Sequence, residues 1–171
     1  MKMYTKFGLM ILTSTVIMFG LMYLNTYAIE HVHFSETRAY MALIMGASMA
    51  IVMLLFMMGM YRQKTTNMLI IVASVIVFAV SLLLVRSQRT VDDVGWMKAM
   101  IPHHSIAILT SERARIKDAR VRALADSIIK TQREEIAEVE IVDQLIVTAT
   151  IRPNQDRITH VSPRVSGRIV T

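Results

Sequence analysis

Three uncharged apolar blocks, residues 7–24, 41–60 and 67–85, fill most of the first half of this chain and constrain its fold more than any other feature. Each is about 18 to 20 residues long, which as a helix spans a hydrocarbon core near 30 Å. Lipid offers no partner for a bare N–H or C=O, so blocks of this length must satisfy their own backbone and are expected as three transmembrane helices. Lys2 and Lys6 ahead of the first block also fit a secretory signal. That block outruns a usual signal core and no small-residue cleavage motif follows it closely, so a retained anchor is expected. Residues 1–85 therefore read as a membrane domain.

After Val85 the sequence turns abruptly to charged, helix-forming residues. The net charge of +6 invites a nucleic-acid partner, yet the basic residues are spread along the helices and loops with no interleaved aromatics, so nucleic acid is not expected. Positive side chains near the block ends divide almost evenly, with Lys2, Lys6, Arg62 and Lys64 on one side and Arg38, Arg86, Arg89 and Lys98 on the other. The short basic turn around Arg62 and Lys64 fits a cytoplasmic loop. That choice gives a multi-pass protein of a bacterial inner membrane whose C-terminal domain is periplasmic. His31 and His33 then share the outer side, where a solvated loop is expected for them. With no cysteine in the chain, neither disulfides nor thiolate ligands are available.

Asp92 or Asp93 is placed to cap a first exposed helix that runs through Trp96, Met100, His104 and Ile108 to about Arg115. Residues 116–118 supply a turn. Asp118 caps a second helix, in which Val121, Leu124, Ala125, Ile128, Ile129, Ile136 and Val139 keep a 3.6-residue period. The expected fold class is all-α, with residues 86–146 forming an antiparallel helical hairpin behind the three transmembrane helices. Two helices bury little, so the hairpin is expected to lean on the membrane helices or on a second copy, making a homo-oligomer. From about Val147 the pattern becomes strand-like, and residues 147–171 are expected as an extended or disordered tail.

The first exposed helix carries the chemistry. Trp96-Met97-Lys98-Ala99-Met100-Ile101-Pro102-His103-His104 concentrates two thioethers and two imidazoles, donors suited to a soft or borderline metal and to copper above all. At 100° per residue Met97, Met100 and His104 fall within about 60°, with His103 about 60° further round. These four are the candidate metal ligands. Pro102 removes a backbone bond and is expected to kink the helix just before the histidines. The competing reading has the methionines as core packing and the histidines lining a polar groove. Further up the chain Met41, Met45, Met49, Met53 and Met57 recur every four residues beside the small row Ala42, Gly46 and Ala50, which reads as a helix-packing or dimer surface.

Residues 96–138 closely resemble the domain of unknown function 305, a ferritin-like family with membrane-bound bacterial members. The likeness rests on Met-Ile-Pro-His-His-x-x-Ala-Ile from Met100 to Ile108 and on Gln-x-x-Glu-Ile from Gln132 to Ile136. It implies a ferritin-like hairpin. Because some relatives are linked to periplasmic copper binding and resistance, it also implies a copper ion facing His103, His104, Met97 and Met100, with Gln132 and Glu135 opposite them. Val139 stands where the family usually has Met, so one implied thioether is missing. Residues 152–169 resemble the leading segment of periplasmic adaptor subunits of heavy-metal efflux pumps, which implies metal efflux components as partners.

The sequence thus points to a membrane-anchored periplasmic metal-binding protein that buffers Cu(I) or hands it over in metal resistance. The alternative is a structural or interaction protein whose helices mediate oligomerisation. An enzyme is not expected: Ser105 and Ser111 lack a triad, no Gly-rich phosphate loop occurs, and the hairpin lacks the carboxylate set of a di-iron centre.

Overall fold

The computed structural model describes residues 3–149, and all regular structure among them is helical. Five α-helices follow in order: α1 (Met3–Leu21), α2 (Glu36–Phe56), α3 (Lys64–Ser87), α4 (Asp93–Arg113) and α5 (Ala119–Ala149). A single 3-10 turn, Ile29–His31, lies between α1 and α2. The helices α1, α2 and α3 are long and apolar enough to cross a membrane. Helix α2 starts five residues ahead of its apolar block because Ser35 caps it, its hydroxyl accepting the Arg38 N–H at 3.4 Å while Glu36 sits favourably in the first turn.

Helix α2 is the middle member and packs on both α1 and α3. Small residues make that approach close: Ala42, Gly46, Ala47 and Ala50 are buried, and a Cβ added at Gly46 would collide with the Thr15 hydroxyl of α1. Large apolar side chains such as Leu12, Val16, Ile76 and Leu83 stay exposed on the outside of the three helices, where lipid suits them.

Polar bonds tie both ends of the unit formed by α1, α2 and α3. At one end the Tyr4 hydroxyl donates to Asn67 Oδ1 at 3.0 Å, Asn67 Nδ2 donates to the Tyr61 carbonyl at 2.7 Å, and the Tyr61 ring packs against Tyr4 and Phe7. At the other end Arg38 Nη1 donates to the Met22 carbonyl at 2.7 Å, with its guanidinium 4.4 Å from the centre of the Tyr23 ring.

Helix α3 closes on Gln88, which takes a left-handed conformation (φ 51°). The Gln88 side chain donates to the Val85 carbonyl at 2.6 Å and accepts from the Thr37 hydroxyl at 3.2 Å, which fixes the exit toward α4. Asp92 caps α4 by accepting the Gly95 N–H at 2.7 Å, and the helix then continues through Pro102 without a break. Asp118 accepts the Arg120 N–H at 2.8 Å at the start of α5, and its contacts with Arg120 hold its carboxyl below the ordinary carboxylate value. The α4–α5 core consists of Ile101, Ile108 and Ile136, with Ile129 and Val139 packed against it.

Helix α4 ends at Arg113, slightly earlier than its pattern suggests, and residues 114–118 form the connection. Helix α5 continues through Ala149, so residues 147–149 are helical and not extended. The remainder of the expected tail, including the segment that resembles an efflux adaptor, lies outside the described residues.

Candidate functional site

Helix α4 works with two faces, and each takes a different share of the candidate ligands. One face carries Ile101, Ser105 and Ile108, all buried. His104 lies at its edge, with Nδ1 2.7 Å from Glu135 Oε2 of α5. That carboxylate oxygen also accepts from Gln132 Nε2 at 2.7 Å. The His104 nitrogen is buried, and Glu135 sits beside it out of line for a hydrogen bond. Of the second-helix pair, Glu135 lies beside a candidate histidine, His104, and Gln132 is bonded to that carboxylate.

The other face looks toward the ends of α1 and α2. Trp96, Ala99, Met100, His103 and Ile106 form one wall of a groove of about 550 Å³. Met22, Asn25, Ser35, Arg38 and Met41 line its other side. Met100 and His103 are three residues apart, a spacing that makes them neighbours on a helix surface.

The four candidate ligands are accordingly divided. Met100 and His103 line the groove, His104 meets α5, and Met97 is not part of the groove lining. Helical arithmetic placed Met100 with Met97 and His104; the structure splits that arc because α5 covers the side on which Ile101 and Ile108 are buried. Met97 and His104 lie about 20° apart on the wheel, toward that side, whereas Met100 falls at the boundary and His103 beyond it. The two imidazoles are 6.0 Å apart between ring centres and inclined at 76°. Among the described residues no three His, Asp or Glu side chains form a group able to hold a metal ion. The donors gathered in the groove are thioethers and one imidazole instead.

His31 also departs from its expected place in a wet loop. Its Nδ1 lies 2.9 Å from Ser105 Oγ, and the same oxygen accepts the Tyr27 N–H at 2.7 Å. Ser105 is fully buried, so this hydroxyl pins the loop before α2 onto α4. Replacing Ser105 with alanine leaves a backbone N–H without its acceptor and is expected to loosen the loop by about 1–3 kcal/mol. Amide hydrogen exchange at Tyr27 reads this directly; protection equal to that of the native chain would rule the pinning role out.

Sequence reasoning passed over Met22 and Met41 as neighbours of the site. Met22 lay within an apolar block, and Met41 was absorbed into the methionine ladder. The available signal was that Met41 stands at the polar end of its block, three residues after Arg38.

Residues 87–154 match the family described as Domain of unknown function (DUF305). An uncharacterized protein of Acanthamoeba polyphaga mimivirus is 38% identical over 105 residues, spanning 60% of this chain and 67% of the relative. Residues 87–171 make up only about half of the chain, so that likeness reaches back before residue 87. No solved structure matches.

Proposed function

This chain belongs to the family described as Domain of unknown function (DUF305), and on that footing we propose that it is a membrane-anchored protein that binds a soft metal cation, Cu(I), as cargo. The observation that carries this reading is that Met100 and His103 both line one open groove beside the membrane helices. Thioether sulfur and neutral imidazole are donors that Cu(I) accepts, and they suit it better than Mg(II), Ca(II) or Mn(II), which favour oxygen. In the fuller proposal α4 and α5 form a ferritin-like antiparallel hairpin held on the periplasmic face of a bacterial inner membrane. There the protein buffers copper or passes it to efflux components, as a homo-oligomer. The spanning-length helices and the tail's resemblance to an efflux adaptor support this picture.

A structural role is favoured for His104 by its contact with Glu135. The two histidines should therefore respond differently. In a Cu(I) competition titration of the full chain in detergent, His103→Ala is expected to weaken binding about tenfold, a loss of about 1.4 kcal/mol. His104→Ala should change it little. Identical affinities for the native chain and His103→Ala would remove the basis of the proposal.

A further inference from the structure

The groove has a second wall, and its chemistry is not incidental. Resting on the copper reading above, we propose that the soft-metal site is completed by the membrane domain: Met22 and Met41 join Met100 and His103 to supply three thioethers and one imidazole from three separate segments. All four line the same groove. Met22 follows the last residue of α1, Met41 lies in the second turn of α2, and Met100 and His103 come from α4.

Arg38 organises the membrane-side pair. Its Nη1 bond to the Met22 carbonyl holds the end of α1 against the start of α2, and Met41 follows Arg38 by three residues on the same helix. Each thioether lies near the end of an unbranched chain with three rotatable bonds, so rotation of the side chains can bring the sulfurs toward an ion in the groove. Met41 is 44% exposed, so its side chain is not locked in packing.

Charge selects the cation. Arg38 lines the groove and remains positive. Its repulsion acts twice as strongly on a dication as on a monocation, while the four donors are neutral. Together these features favour Cu(I) or Ag(I) over Zn(II) or Cu(II).

The site would also act mechanically. Among the described residues, the bonds that hold α4 to the first three helices and their loops include those of Ser105 to Tyr27 and His31, and on the connection before it those of Gln88 to Thr37 and Thr90 to Tyr40. An ion shared between α4 and the ends of α1 and α2 binds only the docked arrangement and therefore stabilises it.

The experiment uses the full chain in lipid nanodiscs with Cu(I), and with Ag(I) as a redox-inert probe. The double variant Met22→Leu/Met41→Leu is expected to lose tenfold or more in affinity, while Met97→Leu binds like the native chain. X-ray absorption should report fewer sulfur neighbours around Cu(I) in the double variant. Native affinity and an unchanged sulfur count in that variant, with His103→Ala still weakening binding, would sink this inference and leave the copper reading intact. Absence of saturable Cu(I) binding by the native chain would end both. If the double variant melts early, Met41→Leu alone and the native chain decide the matter. Ag(I) should slow amide exchange around residues 27–31, and unchanged exchange there would count against a bridging ion.

Discussion

Truncating Ile108 to alanine is expected to destabilise the α4–α5 pair by about 2–5 kcal/mol, the usual range when a buried isoleucine leaves a cavity that its surroundings cannot close. Ile108 is 1% exposed and shares its buried cluster with Ile101 and Ile136. A pair of helices has few other apolar contacts over which to spread the loss. Since entire domains are stable by about 5–15 kcal/mol, the substitution removes a large share of what holds α5 to α4. Hydrogen exchange of the full chain should show α4 and α5 amides losing protection together, while α2 and α3 amides keep theirs. Native-like protection in α4 would mean that this cluster does not hold the pair together.

A comparable effect is expected between α1 and α2 from Gly46→Leu. The added side chain would enter space held by Thr15, whose Oγ1 a Cβ would already strike and whose Cγ2 it would meet at 3.2 Å. Thr15 cannot easily turn aside, because its hydroxyl donates to the Ile11 carbonyl at 2.8 Å and its branched Cβ restricts rotation. Overpacking of this kind costs about 1–3 kcal/mol, and helix association in lipid has no hydrophobic surplus to absorb it. The chain has no cysteine, so one introduced on α1 and one on α2 give a clean cross-linking report. The yield should fall sharply in the Gly46→Leu variant. An undiminished yield would show that α1 does not depend on the close approach at this position.

The three helices of spanning length were legible because charge is excluded over a length that matches lipid thickness, but their ends were not. Hydropathy marks what lipid covers, whereas a cap such as Ser35 marks where the helix begins, and α2 carries Glu36 and Arg38 inside its first turn. The α4–α5 helices were legible from their caps and periodicity. In the site, helical arithmetic correctly separates His103 from His104 by 100°, but says nothing about which neighbour waits on each side. That is decided by where α5 and the 3-10 turn dock, through Ile136, Glu135 and the Ser105 bonds. Met22 and Met41 could not be grouped with Met100 because roughly 60 to 80 residues intervene, and no local pattern encodes a contact of that separation.

The five residues between α3 and α4 reach about 17 Å even when fully extended. Helix α5, with 31 residues, is about 46 Å long. The leash is thus much shorter than the body it restrains, and Gln88 shortens it further by bending sharply at its root. Such a body cannot search the surrounding volume. With α1 to α3 set in a bilayer, its meetings with other membrane-bound proteins would follow lateral diffusion in that plane, whereas a small dissolved ion would still reach it from the bulk.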